Sequence, residues 1–71
     1  MIKDVVHVPV FRSKTEGRYA FLEGVSYRRD ASQAAVRRYL SGVSKAWKDG
    51  NSFIGIKAFE LRELPLDEAS A

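Results

Sequence analysis

Few residues in this chain have types and spacing suited to chemistry, and most can be set aside by what they lack. His7 is the only histidine and there is no cysteine. A zinc site takes three or four nitrogen, sulfur or carboxylate ligands, and no acid stands at ligand spacing near His7, so no metal or other cofactor is expected and His7 reads as an ordinary strand residue. The serines occupy no nucleophile-elbow context, and a triad would have no histidine–acid pair to draw on. Gly50 lies in DGNS and Gly55 in a strand-like run, neither leading into a phosphate-binding helix. Glu60 and Glu63 fall on a strand edge and in a tail, where carboxylates are ordinarily solvated. Enzymatic activity is therefore not expected.

The pattern that stands out is cationic. Residues 28–48 hold Arg28, Arg29, Arg37, Arg38, Lys45 and Lys48 against one acid, Asp30, a local net charge of +5 on a chain whose total is +3. The remainder sums to −2, so the charge is localised. At about 100° per residue, Arg37, Arg38, Lys45 and Lys48 spread over roughly 100° of one helical side. A basic helical face on a chain of pI near 9.5 is the electrostatic footprint of contact with nucleic-acid phosphates. The plain alternative is a set of cations that keeps an exposed helix solvated, because no recognised DNA-binding motif accompanies the patch.

These cations need a helix to hold them, and residues 30–50 read as one. Val36, Tyr39, Leu40, Val43 and Trp47 recur at steps of three and four, forming an apolar stripe that Ala46 widens. Asp30 is placed as N-cap with Gln33 as its capping-box partner, and Gly50 follows the last periodic residue as a C-cap. Glycine inside a helix costs about 1 kcal/mol relative to alanine, so a bend is expected at Gly42.

The flanking segments are strand-like. Residues 2–11 are rich in β-branched side chains, and Pro9, which cannot donate to a ladder, places the strand at an edge or at its end there. The polar stretch 12–17 and the strand-like stretch 18–27 complete a hairpin with a loop longer than two residues. Residues 52–61 form a third strand, stopped by Pro65. The expected fold is α+β, a ββαβ domain over residues 1–62 with a three-stranded, mainly antiparallel sheet and one amphipathic helix on one face. A third strand beside the first makes the whole sheet antiparallel; beside the second it makes a right-handed parallel crossover. Residues 63–71 form an acidic tail, solvated or resting against the basic helix.

Uninterrupted alternation sorts the strands into two faces. One is aliphatic: Val6, Val8, Val10, Ala20, Leu22, Ile54, Ile56 and Ala58. The other gathers six of the eight aromatics, among them Tyr19, Phe21, Phe53 and Phe59, with Lys57. One helix covers one face, so the other is an exposed patch available to a partner or a second copy. A bulge in any strand would exchange part of these sets.

With 71 residues folding buries only about 60% of the unfolded chain's surface, and no disulfide or metal is available as a staple, which leaves a homodimer as the common remaining device. Asp4 and Pro9 interrupt the basic and apolar regions a signal peptide requires, and no apolar run approaches the roughly 20 residues that span a bilayer. The expectation is a cytoplasmic, non-membrane protein read from a complete small reading frame. Two functions compete: contact with nucleic acid through the basic helix, with base stacking on Tyr19, Phe21, Phe53 or Phe59 as a variant; or a protein-interaction module, such as a phage or mobile-element inhibitor or adaptor of a host protein complex.

Overall fold

The computed structural model describes residues 4–63. They form an α+β domain with strands β1 (Val5–Ser13), β2 (Gly17–Ala20) and β3 (Asn51–Glu60), and helices α1 (Arg29–Gly42) and α2 (Lys45–Gly50), with a 3-10 turn at Leu22–Gly24. The sheet order is β2-β1-β3 and both pairings are antiparallel. Of the two arrangements open to the sequence, the third strand therefore lies beside the first. Ile2, Lys3 and the tail beyond Glu63 lie outside the described residues.

The β1–β2 hairpin is tighter than the sequence reading. Its loop is Lys14, Thr15 and Glu16, because Ser13 pairs with Gly17. Gly17, the first residue of β2, takes φ +84°, a left-handed value that glycine adopts at no steric cost. Ser13 Oγ accepts the amides of Thr15 at 3.2 Å and Glu16 at 3.3 Å, closing the turn locally.

Pro9 corrects another expectation, since it sits inside the central strand and pairs with Ile56. The reason is the direction of its peptide group. His7 exchanges both backbone bonds with Ser26, and Pro9 O accepts from Phe21 N at 2.8 Å. Alternate residues direct their peptide groups to opposite sides of a strand, so the missing Pro9 N–H faces Phe21, where β2 has just ended, and not β3. Phe21 O, left without that donor, accepts from Gly24 N at 3.1 Å and starts the 3-10 turn. Residues 18–27 are thus a short strand, a turn and an isolated bridge at Ser26.

The single helix expected over residues 30–50 is two helices. The chain leaves α1 after Gly42, with Val43 extended at φ −85° and ψ 152°, and Ser44 Oγ caps α2 by accepting Trp47 N at 3.1 Å. The N-cap position of α1 is Arg28 and not Asp30; Asp30 lies in the first turn, where a carboxylate complements the helix dipole. Gly50 is the last residue of α2, with Asn51 at the C-cap.

The decisive irregularity is in β3. Register passes from Val10 opposite Gly55 to Phe11 opposite Phe53, so Ile54 is an extra residue, and Gly55 takes φ +150°. This β-bulge resets the alternation. Ile56 and Ala58 share the face of Phe11, Pro9 and His7, while Lys57 and Phe59 stand opposite Val8 and Val6 on the other face. The two faces drawn by uninterrupted alternation are exchanged beyond Gly55.

Both helices pack on the Phe11 face. Phe11 is 1% exposed and its ring meets Tyr19, Phe21, Tyr39, Trp47 and Phe53 at centroid distances of 5.9, 5.9, 6.3, 5.6 and 5.2 Å. Val36 completes this side, and Val6, Val8 and Val10 are buried on the other. Ser32 locks α1 down. It is fully buried, and its hydroxyl proton is shared between Gly24 O at 2.6 Å and His7 O at 3.0 Å. Gly24 has to be glycine, because a Cβ there would lie 2.6 Å from Pro9 Cγ.

Candidate functional site

The helix stripe positions the cations by default. Burying Val36 and half-burying Tyr39, Leu40 and Trp47 turns Arg29, Arg37, Arg38, Lys45 and Lys48 to solvent, and all five are exposed. Arg28 is exposed too, but its Nη2 lies 2.6 Å from Asp30 Oδ2 and its Nε donates to Oδ1 at 3.1 Å. These hydrogen bonds hold the Asp30 carboxyl below its ordinary range and raise the Arg28 guanidinium further. Among the described residues the other five helix cations have no carboxylate partner.

The six cations do not form one patch. Arg29 and Arg37 line a groove between α1 and β3 with Gln33, Val36, Leu40, Phe53, Gly55 and Ile56, with a volume near 400 Å³. Arg38, one residue on, lines a second hollow with Phe21, Glu23, Ala35 and Tyr39. Successive helical residues point about 100° apart, which is enough to send Arg37 and Arg38 to different sides of α1. Lys45 and Lys48 stand one turn apart on α2, at the spacing that makes helical neighbours.

The five aromatic and sheet-face candidates also separate. Tyr19, Phe21 and Phe53 come together around Phe11, under the helices, while Lys57 and Phe59 lie on the opposite face. Phe21 and Tyr39 pack at 4.6 Å and Tyr39 and Trp47 at 5.2 Å. Tyr19 OH donates to Asn51 Oδ1 at 2.9 Å, and Asn51 Nδ2 donates to Trp47 O at 2.8 Å, tying β2 to the end of α2. Partial burial, followed by the neighbouring Tyr39 and Glu16, pushes the Tyr19 hydroxyl above its ordinary value. Tyr19, Phe21, Tyr39 and Trp47 are half-buried in this cluster, while Phe53 at its margin is exposed.

Three of the eight exposed large apolar side chains among the described residues lie on β3. Phe53, Ile54 and Phe59 are 44%, 39% and 49% exposed, and β3 is a ten-residue edge strand. The groove beside it was not visible in the sequence. Arg29, Gln33 and Arg37 do recur at steps of four, but the groove's far wall depends on the bulge that brings Ile56 to the helix side. Ser32 was also missed, although it stands four residues before Val36, on the apolar stripe.

Among the described residues no group of acids and histidine could hold a metal ion, and no helix is long and apolar enough to cross a membrane. Comparison with protein families, curated proteins and solved structures finds no match for this chain.

Proposed function

We propose that this chain is a non-enzymatic binding protein that contacts nucleic-acid phosphates through the outer side of α1 and α2. One observation supports the reading above others: Arg37, Arg38, Lys45 and Lys48 are exposed and have no carboxylate partner among the described residues. Cations that only keep a helix wet are commonly interleaved with acids, and here no acid interrupts the run from Arg37 to Lys48.

Four phosphate contacts give a slope of about −3.6 in log affinity against log salt on duplex DNA, so raising salt from about 50 to 200 mM should weaken binding by roughly two orders of magnitude. Fluorescence anisotropy with labelled duplex and single-stranded oligonucleotides measures this. Replacing Arg38, Lys45 and Lys48 with glutamine should flatten the slope by about 0.9 per residue removed. Absence of binding at the lower salt, or a slope unchanged by the substitutions, refutes the reading.

A protein partner is the second reading, favoured by the exposed apolar side chains on the open edge of β3. A second copy of this chain or a host complex would each fit that edge. Sedimentation of the protein alone distinguishes a homodimer from a monomer awaiting another partner.

A further inference from the structure

The groove between α1 and β3 joins three features that together specify a ligand. The first is an open ladder. His7 and Pro9 direct their peptide groups toward Ser26 and Phe21, so Val6, Val8 and Val10 direct theirs toward β3, and their partners Phe59, Lys57 and Gly55 point back. Leu61 N, which donates to Asp4 O at 2.8 Å, continues the inward series. The peptide groups of Ile56 and Ala58 are left pointing outward, each with one donor and one acceptor, and no described residue pairs with them.

The second feature is an apolar floor. Val36 and Leu40 on α1 face Phe53 and Ile56 on β3 across about 400 Å³, and Phe53 is 44% exposed. The third is a pair of cations with fixed spacing. Arg29 and Arg37 line the helix side of the groove, are exposed and have no carboxylate partner among the described residues. Eight residues of α-helix separate them by about 12 Å along the axis.

An extended chain advances about 3.4 Å per residue, and residues i, i+2 and i+4 share one face. Residues i and i+4 therefore lie about 13 to 14 Å apart, close to the spacing of the two arginines. We infer that β3 accepts an added strand from an extended acidic peptide, whose pattern is acid–x–apolar–x–acid. Its backbone pairs with Ile56 and Ala58, its central apolar side chain enters the groove over Val36 and Ile56, and its two carboxylates meet Arg29 and Arg37. Strand addition supplies affinity through main-chain bonds, and alternate side chains supply specificity. The bulge at Ile54 ends the regular ladder on one side, so the added strand is short. This inference rests on the protein-partner reading and narrows it to one kind of partner.

The test is selection from a random twelve-residue peptide display library against the immobilised full chain, followed by anisotropy with labelled synthetic copies of the enriched peptides. The expected result is enrichment of two acids four apart with an apolar residue midway, and protection of the Ile56 and Ala58 amides from hydrogen exchange when the peptide binds. Arg29→Glu with Arg37→Glu should weaken binding by roughly tenfold or more per site, the scale of a charge-assisted hydrogen bond. Both residues are exposed, and unchanged far-UV circular dichroism and Trp47 emission would show that the double variant is folded.

Selection of no peptides, of peptides without the alternation, or of peptides indifferent to the double reversal overturns the inference. So does a protein that sediments as a dimer with those two amides already protected, in which case a second copy occupies β3 and the protein-partner reading survives alone. Protection of the same amides by a single-stranded oligonucleotide would assign the groove to nucleic acid and overturn both.

Discussion

Ser32→Ala tests whether one buried hydroxyl holds the cation-bearing helix on the sheet. The hydroxyl bridges Gly24 O at 2.6 Å and His7 O at 3.0 Å. Its removal affects these acceptors unequally. His7 O keeps Ser26 N at 3.0 Å, whereas Gly24 O loses the only partner found for it among the described residues. Leaving a buried acceptor unsatisfied costs about 1 to 3 kcal/mol. Alanine is the better helix former, which returns up to about 0.5 kcal/mol, so the net loss should be about 1.5 kcal/mol. A chain of 71 residues has a total stability of about 4 to 11 kcal/mol, and the melting temperature should fall by about 6 to 12 °C. Thermal and urea unfolding, followed by Trp47 emission and far-UV circular dichroism, measures the change. A loss below about 0.5 kcal/mol would refute the claim that α1 is docked through this hydroxyl.

Three further substitutions and one deletion probe the same frame. Phe11→Ala removes the ring at the centre of the aromatic cluster and should cost about 3 to 5 kcal/mol, seen as a large fall in the urea midpoint followed by Trp47 emission. Among the described residues His7 Nδ1 is buried without a hydrogen-bond partner, so His7→Leu should raise stability by about 1 kcal/mol, seen as a higher urea midpoint; a lower midpoint would mean that the imidazole has a partner. Gly24→Ala should destabilise by about 1 to 3 kcal/mol, because its Cβ would meet the Pro9 ring at 2.6 Å. Deleting Ile54 should leave the fold intact, since Phe53 and Ile56 keep their faces once the extra residue is gone, and loss of the folded Trp47 signal would refute the register.

What the sequence disclosed was local. The spacing of Val36, Tyr39, Leu40 and Trp47 marks the buried side of the helical region, and Ser41-Gly42 marks the place where it breaks. Both signals act within a few residues. What it concealed depends on partners distant along the chain. Pro9 looks like an edge residue until the direction of its peptide group is known, and that direction follows from the Ser26 bridge and the end of β2. Gly55 inside a strand is a recognised mark of a bulge, but only pairing with β1 shows that Ile54 is the extra residue.

The bulge matters more for function than for stability. With uninterrupted alternation, Ile56 would stand with Val10 and Lys57 with Phe53, placing a lysine where the groove now has an apolar wall. An arginine-lined groove with a third cation in its floor would select for charge alone. With Ile54 inserted, Ile56 forms the floor and Lys57 moves to the far face, so the groove combines an apolar centre with cations on its helix side. The same geometry separates Arg37 from Arg38, although charge counted along the sequence treats them as one patch. The phosphate-binding and strand-addition proposals therefore depend on largely different side chains. Substitution of Arg38, Lys45 and Lys48 should reduce oligonucleotide binding and spare peptide binding. Reversal at Arg29 with Arg37 should abolish peptide binding while removing one of the four proposed phosphate contacts. Parallel loss of both activities in both variants would mean that a single diffuse field governs them, and that the division of the surface by the bulge has no functional consequence.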